Sequence, residues 1–251
     1  MTDGAPERRV VVITGAGGAL GAAVARRLGG EPATDLVLSD ISASSLRATL
    51  DAMPPRASVV ETILADVGEI EEVERVVEHA VERFGHLDVL VSNAGVLARN
   101  GRIHNLTTDD WNRVIRINLM GAVNGIRAAV PVMRVRRSGS IILTASVAGM
   151  TAWSHAAPYC ATKAAVIELA KVAAVEYAGD GIRVNCVCPG TFRSAIHEGL
   201  PPESLDMIAR RHPLGLGVAD DLVGAYSFLA GDDSRWTTGA ALVVDGGYSA
   251  P

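Results

Sequence analysis

Tyr159 and Lys163 stand four residues apart at the start of a helical stretch, so their side chains rise from one face about a turn apart. An ammonium beside a phenol is expected to lower its pKa from the ordinary ~10 towards working pH, which is what a general acid/base requires. Ser146 follows the strand-like run Ile141 to Thr144. Ligands of parallel sheets bind beyond the carboxyl ends of the strands, so this hydroxyl falls on the same side. Taken singly, each residue has a plainer reading. A serine at an element end caps, and a Tyr/Lys pair at helical spacing packs on a surface.

A second constellation lies near the N-terminus. The run Val10 to Thr14 leads into Gly15-Ala16-Gly17-Gly18-Ala19-Leu20-Gly21, and a helical pattern follows from Ala22 to Leu28. Glycines at a strand-to-helix turn allow a tight bend and close backbone approach, so free amides at the helix start can hold a pyrophosphate. Asp40 ends the next strand, 19 positions beyond Gly21, where a carboxylate accepts hydrogen bonds from adenosine ribose hydroxyls. It would also repel a 2′-phosphate. Ile41 follows, and the turn holds no Arg or Lys, so NAD is expected rather than NADP.

These residues need a scaffold. Val10 to Thr14, Leu36 to Asp40, Val59 to Ala65, Leu87 to Val91, Ile141 to Thr144, Ile182 to Val187 and Ala241 to Val244 read as seven strands with apolar residues on both faces. Between strands three and four, Ile70, Val73, Val76, Val77, Ala80, Val81 and Phe84 recur at helical spacing. Thr107 and Asp110 form a helix-start capping pair ahead of Trp111, Val114, Ile115 and Asn118, and Pro131 should bend or end the helix that follows. Regular alternation predicts one α/β domain over residues 1–251, a doubly wound, Rossmann-type parallel sheet with helices on both faces. The helix from about Pro158 to Ala178 is apolar nearly all round, which predicts burial on a second side by another subunit, in a homodimer or homotetramer.

Composition narrows the partners. With 23 Lys and Arg against 28 Asp and Glu, scattered through the chain, nothing suggests nucleic acid or an anionic membrane. Arg134, Arg136 and Arg137 read as a solvated helix C-terminus. No apolar run is long enough to span a bilayer, and the polar stretch Met1 to Arg9 is unlike a secretory signal. Cys160, Cys186 and Cys188 form no metal-ligand spacing, so reduced thiols, no metal and a cytoplasmic location are expected.

The whole chain resembles a short-chain dehydrogenase/reductase. Thr14 to Gly21 is similar to the family's TGxxxGxG turn, Ser92-Asn93-Ala94-Gly95 to its NNAG segment, and Asn118, Ser146, Tyr159 and Lys163 to its catalytic tetrad; Asp66-Val67, Pro189-Gly190 and Val244-Asp245-Gly246-Gly247 also match. The resemblance implies that Tyr159 exchanges the alcohol proton, Ser146 holds the substrate oxygen, Lys163 binds the nicotinamide ribose and Asn118 anchors a water in a proton relay. It further implies that Asp66 faces adenine with its side chain, that Val67 does so with its backbone, and that Asn93, Ala94 and Gly95 line the cofactor. Beyond Pro189-Gly190, the Phe192 backbone and the Ser194 hydroxyl would meet the carboxamide. The chain departs from the pattern at Ala19, the family's middle glycine, at Ser92, and at Ser194, where the family has threonine.

Substrate choice is expected from residues 147–158 and 191–212. In the first, Met150 and Trp153 would form an apolar wall, and His155 reads as an ordinary loop histidine. The second carries Ile196, Leu200, Leu205, Met207 and Ile208, with Pro201-Pro202 at a helix start, as a lid or simply a surface helix. A mainly apolar pocket with few fixed charges predicts a secondary alcohol or ketone, cyclic ones included, rather than a phosphorylated or strongly anionic substrate. Two other readings compete. One is a 3-oxoacyl-carrier-protein reductase, whose usual NADPH preference disagrees with Asp40. The other is a non-catalytic NAD-binding regulatory protein, which has no need of all four tetrad residues.

Overall fold

The computed structural model describes residues 8–53, 59–194 and 202–250. Its strands and helices follow in the order β1 (Arg9–Thr14), α1 (Ala19–Leu28), β2 (Thr34–Asp40), α2 (Ala43–Asp51), β3 (Val60–Leu64), α3 (Ile70–Phe84), β4 (Val89–Ser92), α4 (Thr108–Val114), α5 (Gly121–Arg136) and β5 (Gly139–Thr144). Then come α6 (Ala157–Tyr177), β6 (Ile182–Pro189), β7 (Phe192–Arg193), α7 (Pro202–Arg210), β8 (Gly217–Val218), α8 (Val223–Ala230) and β9 (Ala241–Val244).

Seven strands pair in the order β3-β2-β1-β4-β5-β6-β9, every pair parallel. Strand side chains alternate between faces, and β1 shows the consequence. Val10 and Val12 enter a core with Val76, Ala129 and Val166 from α3, α5 and α6. Val11 and Ile13 enter another with Val24, Leu46 and Leu229 from α1, α2 and α8. Strand order reverses between β1 and β4, and an open α/β sheet binds ligands at the crevice formed there.

Three expectations need correction. The runs beginning at Val59 and Ala241 are only partly buried, because β3 and β9 are the edges of the sheet and have a neighbour on one side only. Pro131 does not end α5, which continues to Arg136. Its ring is exposed, as is Arg127, whose carbonyl loses its intrahelical donor to the proline and is left for water. The irregularity comes earlier, in a π turn over Ile115–Met120. The short pair β7-β8 was not anticipated.

Elsewhere local signals hold. Thr107 Oγ1 accepts from Asp110 N at 3.2 Å while Asp110 Oδ2 accepts from Thr107 N at 2.9 Å, a complete capping box. At the end of α5, Arg134 pairs with Asp180 at 3.0 Å and Arg137 donates to the Gly179 carbonyl. No helix among the described residues is long and apolar enough to cross a membrane.

Candidate active site

The carboxyl ends of the central strands open on a cavity of about 850 Å³. Its floor is the glycine turn. Gly15 has φ +64°, and a Cβ there would lie 2.6 Å from Ala94 Cα, so only glycine lets the β1 and β4 loops come this close. Asn93 joins them: its Nδ2 donates to the Thr14 and Gly15 carbonyls at 3.2 and 3.1 Å, and its Oδ1 accepts from Thr144 Oγ1 at 3.3 Å. No side chain caps α1 at Gly18, so its leading amides remain available to an anion. Ala19 opens that helix with its methyl exposed at the cavity wall.

Gly21 is under the tightest constraint, since a Cβ would strike the Gly15 carbonyl and lie 2.9 Å from Ala16 Cα, whereas at Gly18 the nearest atom would be 3.4 Å away. Gly21→Ala is therefore expected to destabilise the chain by roughly 1–3 kcal/mol, as overpacking against backbone does, lowering Tm by about 3–10 °C. Gly18→Ala should leave Tm within about 2 °C. Thermal denaturation of both variants checks this, and equal melting points would contradict it.

Acidic residues line one end. Asp40 Oδ2 accepts from Gly17 N at 2.9 Å and Oδ1 from Ser42 N at 3.0 Å, so the carboxylate braces the turn beside which it stands. Ile41 is 71% exposed at the rim. Burial works against ionisation of Asp66, but the Arg116 hydrogen bond and the Gly68 amide outweigh it and hold the carboxyl below its usual range. The Val67 carbonyl accepts from buried Asn124 at 2.9 Å.

At the other end Pro158 sits in the first turn of α6, a position that suits its missing N–H. Tyr159 and Lys163 follow on one face, the ammonium 5.8 Å from the phenol ring centroid. Lys163 is buried and donates to the Thr144 carbonyl at 2.7 Å. Ser146 is also buried; its Oγ accepts from Ala148 N at 3.1 Å, and its hydroxyl favours the ionised form of the neighbouring Tyr159 phenol. The turn after Ser146 lies directly on α6, because a Cβ on Gly149 would come within 2.6 Å of the Lys163 carbonyl carbon. Trp153 stacks on Tyr159 at 6.2 Å.

Asn118 lies in the π turn, buried behind the wall rather than on it. Its Oδ1 accepts from Val96 N at 2.7 Å, and its Nδ2 donates to Val96 O at 2.9 Å and Thr162 Oγ1 at 3.4 Å. A Cβ on Gly95 would sit 3.3 Å from Asn118 Oδ1 and 3.4 Å from Lys163 Nζ, so the four tetrad positions share one neighbourhood.

The electrostatics differ from the expectation that Lys163 lowers the phenol pKa. Burial raises Tyr159 above the usual phenol value, with the Ser146 hydroxyl acting in the opposite direction. Burial also pushes Lys163 down to about 8. In the chain alone, desolvation dominates and the ammonium is directed at the Thr144 carbonyl.

All the remaining residues expected to bind cofactor line this cavity: Gly17, Leu20, Ala94, Pro189, Gly190, Phe192 and Ser194 among them. Trp153 forms wall as expected, but Met150 is turned outward, half exposed. His155 lies outside the wall, with φ +68° and its carbonyl accepting from Gly101 N. Ile208 of α7 does reach the cavity, whereas Ile196, Leu200 and the side chain of Leu205 lie outside the described residues.

Sequence reasoning missed Tyr248 and Arg211. Tyr248 meets Trp153 edge-on at 6.3 Å, and the Arg211 guanidinium lies 5.9 Å from the Tyr248 ring. Both line the cavity, and Arg211 adds a fixed charge to its substrate end. No local pattern marks either residue, since both contacts join segments far apart in the chain. Among the described residues no group of three or more His, Cys, Asp or Glu converges as a metal site would.

A sequence profile described as enoyl-(acyl carrier protein) reductase matches residues 15–249. Meso-2,3-butanediol dehydrogenase of Serratia marcescens is 36% identical over 245 residues, covering 97% of this chain and 96% of that protein. Cis-4-hydroxycyclohexanecarboxylate dehydrogenase of Sinomonas cyclohexanicum is 38% identical, covering 96% of this chain and 97% of its own. The 3-oxoacyl-[acyl-carrier-protein] reductase of Thermotoga maritima is 35% identical, with 96% and 98% covered. The crystal structure of levodione reductase superposes with a TM-score of 0.90 at 32% identity, over 96% of this chain and 98% of that one. With the glycine turn at the sheet's reversal and a Ser, Tyr and Lys set beyond it, these likenesses establish that the chain is an oxidoreductase of the short-chain dehydrogenase/reductase family.

Proposed function

We propose that the chain oxidises secondary alcohols to ketones, reversibly, with NAD as its cofactor. The observation that carries this reading is the span of one cavity, from a glycine turn braced by Asp40 to Ser146 and Tyr159 at its other end. The donor set fits a dinucleotide: the leading α1 amides of Ala19 to Gly21 for the pyrophosphate, with Gly17 and Gly18 shaping the turn, Asp40 for the adenosine ribose, and Asp66, Val67 and the Asn93 to Gly95 backbone around adenine and the adjoining sugar. Pro189, Gly190, Phe192 and Ser194 would border the nicotinamide. Bound there, the nicotinamide supplies a hydride acceptor.

The chain's own residues manage the proton. Ser146 Oγ holds the substrate oxygen, and the Tyr159 phenolate takes its proton. Lys163 binds the nicotinamide ribose, and its charge favours the phenolate once that ligand orients it. Asn118, through Val96 and Thr162, sits where a relay water would be held. Trp153, Ile208 and Tyr248 offer an apolar and aromatic slot suited to a cyclic or short aliphatic alcohol. Arg211 extends the class to hydroxy acids, in keeping with a relative named for a hydroxycyclohexanecarboxylate.

Turnover of 2,3-butanediol, cyclohexanol and 4-hydroxycyclohexanecarboxylate, followed by absorbance of the reduced nicotinamide with NAD or NADP, tests the reading. NAD-linked oxidation supports it. NADPH-linked reduction of a 3-oxoacyl thioester, with no alcohol oxidised, would replace it with the carrier-protein reductase reading. Tight NAD binding without any turnover would favour a regulatory role. In the same assay Asp40→Ala is expected to lower the NAD/NADP ratio of kcat/KM at least about tenfold, because a carboxylate facing the 2′-position repels a phosphate. An unchanged ratio would remove Asp40 from cofactor choice.

Val172 and Val175 on the outer face of α6 are 48% and 82% exposed. Their exposure supports a homodimer or homotetramer, which sedimentation velocity reads directly; a monomer at micromolar concentration would exclude it. The three unpaired cysteines fit a cytoplasmic setting.

A further inference from the structure

His212 follows α7 in a charged stretch, yet it is only 4% exposed. Both ring nitrogens are engaged. Thr191 N–H donates to Nε2 at 3.2 Å, and Nδ1 lies 2.9 Å from the Ile208 carbonyl. An amide can only donate and a carbonyl can only accept, so the two bonds together select one state, the neutral imidazole with its proton on Nδ1 and a lone pair on Nε2. The ring also packs against Tyr248, with centroids 4.9 Å apart.

Three separate walls of the substrate end meet at this ring. Thr191 belongs to the loop after β6, whose preceding residue, Gly190, donates to Val244 O at 2.9 Å. Ile208 lies on α7, and Tyr248 on the turn after β9. Thr191, Ile208 and Tyr248 all line the cavity. We propose that His212 is a positioning residue: as the neutral Nδ1–H tautomer it clamps the Gly190–Ser194 loop to α7, and a second proton opens the clamp. The proposal rests on the NAD-dependent reading above and adds to it a residue that touches neither cofactor nor reacting atoms.

The step is a simple proton addition. The proton occupies the Nε2 lone pair, the ring becomes a cation with two N–H donors, and an N–H then opposes the Thr191 N–H, so that hydrogen bond is lost. The charged groups around the ring pull in opposite directions. Asp245, on the β9 turn, attracts a charged imidazole, though its oxygens already accept from Gly247 and Ser249 amides. Arg211, which precedes His212 and reaches over Tyr248, opposes it, with Arg210 one residue further back. Arg193 is the charged residue on the loop side.

Two variants of the full chain test this. His212→Asn keeps an acceptor for Thr191 and a donor for Ile208 but cannot take up a proton, whereas His212→Phe keeps the ring and loses both bonds. NAD affinity by calorimetry and kcat/KM for a secondary alcohol are measured from about pH 5.5 to about 9. His212→Phe is expected to lower kcat/KM at least about tenfold and NAD affinity about fivefold at the upper end of this range, with His212→Asn within about threefold of the parent. As pH falls, the parent should weaken in NAD affinity through a limb that His212→Asn lacks. Superposable pH profiles for the parent and His212→Asn overturn the proposal, as does a His212→Phe variant of parental affinity and kcat/KM. If His212→Phe does not fold, the His212→Asn profile decides alone. The calorimetric arm needs no turnover, so NAD binding with the pH limb but no alcohol oxidation would sink the alcohol reading and leave the clamp standing.

Discussion

Tyr159→Phe is expected to lower kcat by roughly 10³-fold, within the range that a positioned acid/base supplies, while NAD affinity changes less than about twofold. The variant keeps the ring that Trp153 stacks on at 6.2 Å and removes only the phenolic hydroxyl. What it loses is therefore the proton acceptor. Steady-state kinetics with calorimetric NAD binding separates the two effects, and a variant retaining more than about a tenth of parental kcat would refute the role of Tyr159. The pH dependence has a definite sign. Alcohol oxidation needs the phenolate, and burial raises the Tyr159 pKa with the Ser146 hydroxyl only partly offsetting it. The parent's oxidation rate should therefore rise towards alkaline pH, and residual activity in the phenylalanine variant should lack that limb.

Lys163→Met is expected to act in opposite directions on activity and stability. Turnover should fall at least about 10²-fold, since the group that favours the phenolate is lost. The ligand-free protein should become more stable at neutral pH. Burial lowers the Lys163 pKa from 10.5 to about 8, so below about 8 the folded chain carries a charge that burial disfavours. Between about 8 and 10.5 the unfolded chain holds that proton and the folded chain does not, so stability rises with pH through this window. The shift corresponds to roughly 3 kcal/mol, from which the lost bond to the Thr144 carbonyl subtracts about 1–2 kcal/mol. A net gain on the order of 1–2 kcal/mol should raise Tm by about 2–6 °C at pH 7. The gap should narrow at about pH 9.5, as the parent loses the charge. A methionine variant that melts lower than the parent at pH 7 would show that the buried ammonium stabilises the fold. A stability gain with an activity loss marks a site kept strained for function.

Much of the site was legible because its geometry is local. Tyr159 and Lys163 share a helix face through their four-residue spacing alone. The glycines from Gly15 to Gly21 read as a turn because a strand precedes them and a helix follows. Thr107 and Asp110 capped their helix as expected, since a capping box involves only residues three apart. The uninterrupted apolar run of β1 likewise read as a strand with apolar residues on both faces, and its side chains do enter two cores.

The rest depended on where distant segments meet. Strand order made β3 and β9 edges, leaving half-buried or exposed residues that the apolar runs alone read as buried. Arg211 and Tyr248 entered the cavity, and His212 was enclosed, through contacts among the β6 loop, α7 and the turn after β9. Even the direction of the Tyr159 shift was a tertiary outcome, because desolvation is set by everything that surrounds the phenol rather than by the lysine one turn away. The covalent spacing of this chain determined which residues face the same way along a strand or helix. Burial, and with it the charge state of the site, was decided only when the sheet assembled, because it sums over neighbours from the whole chain.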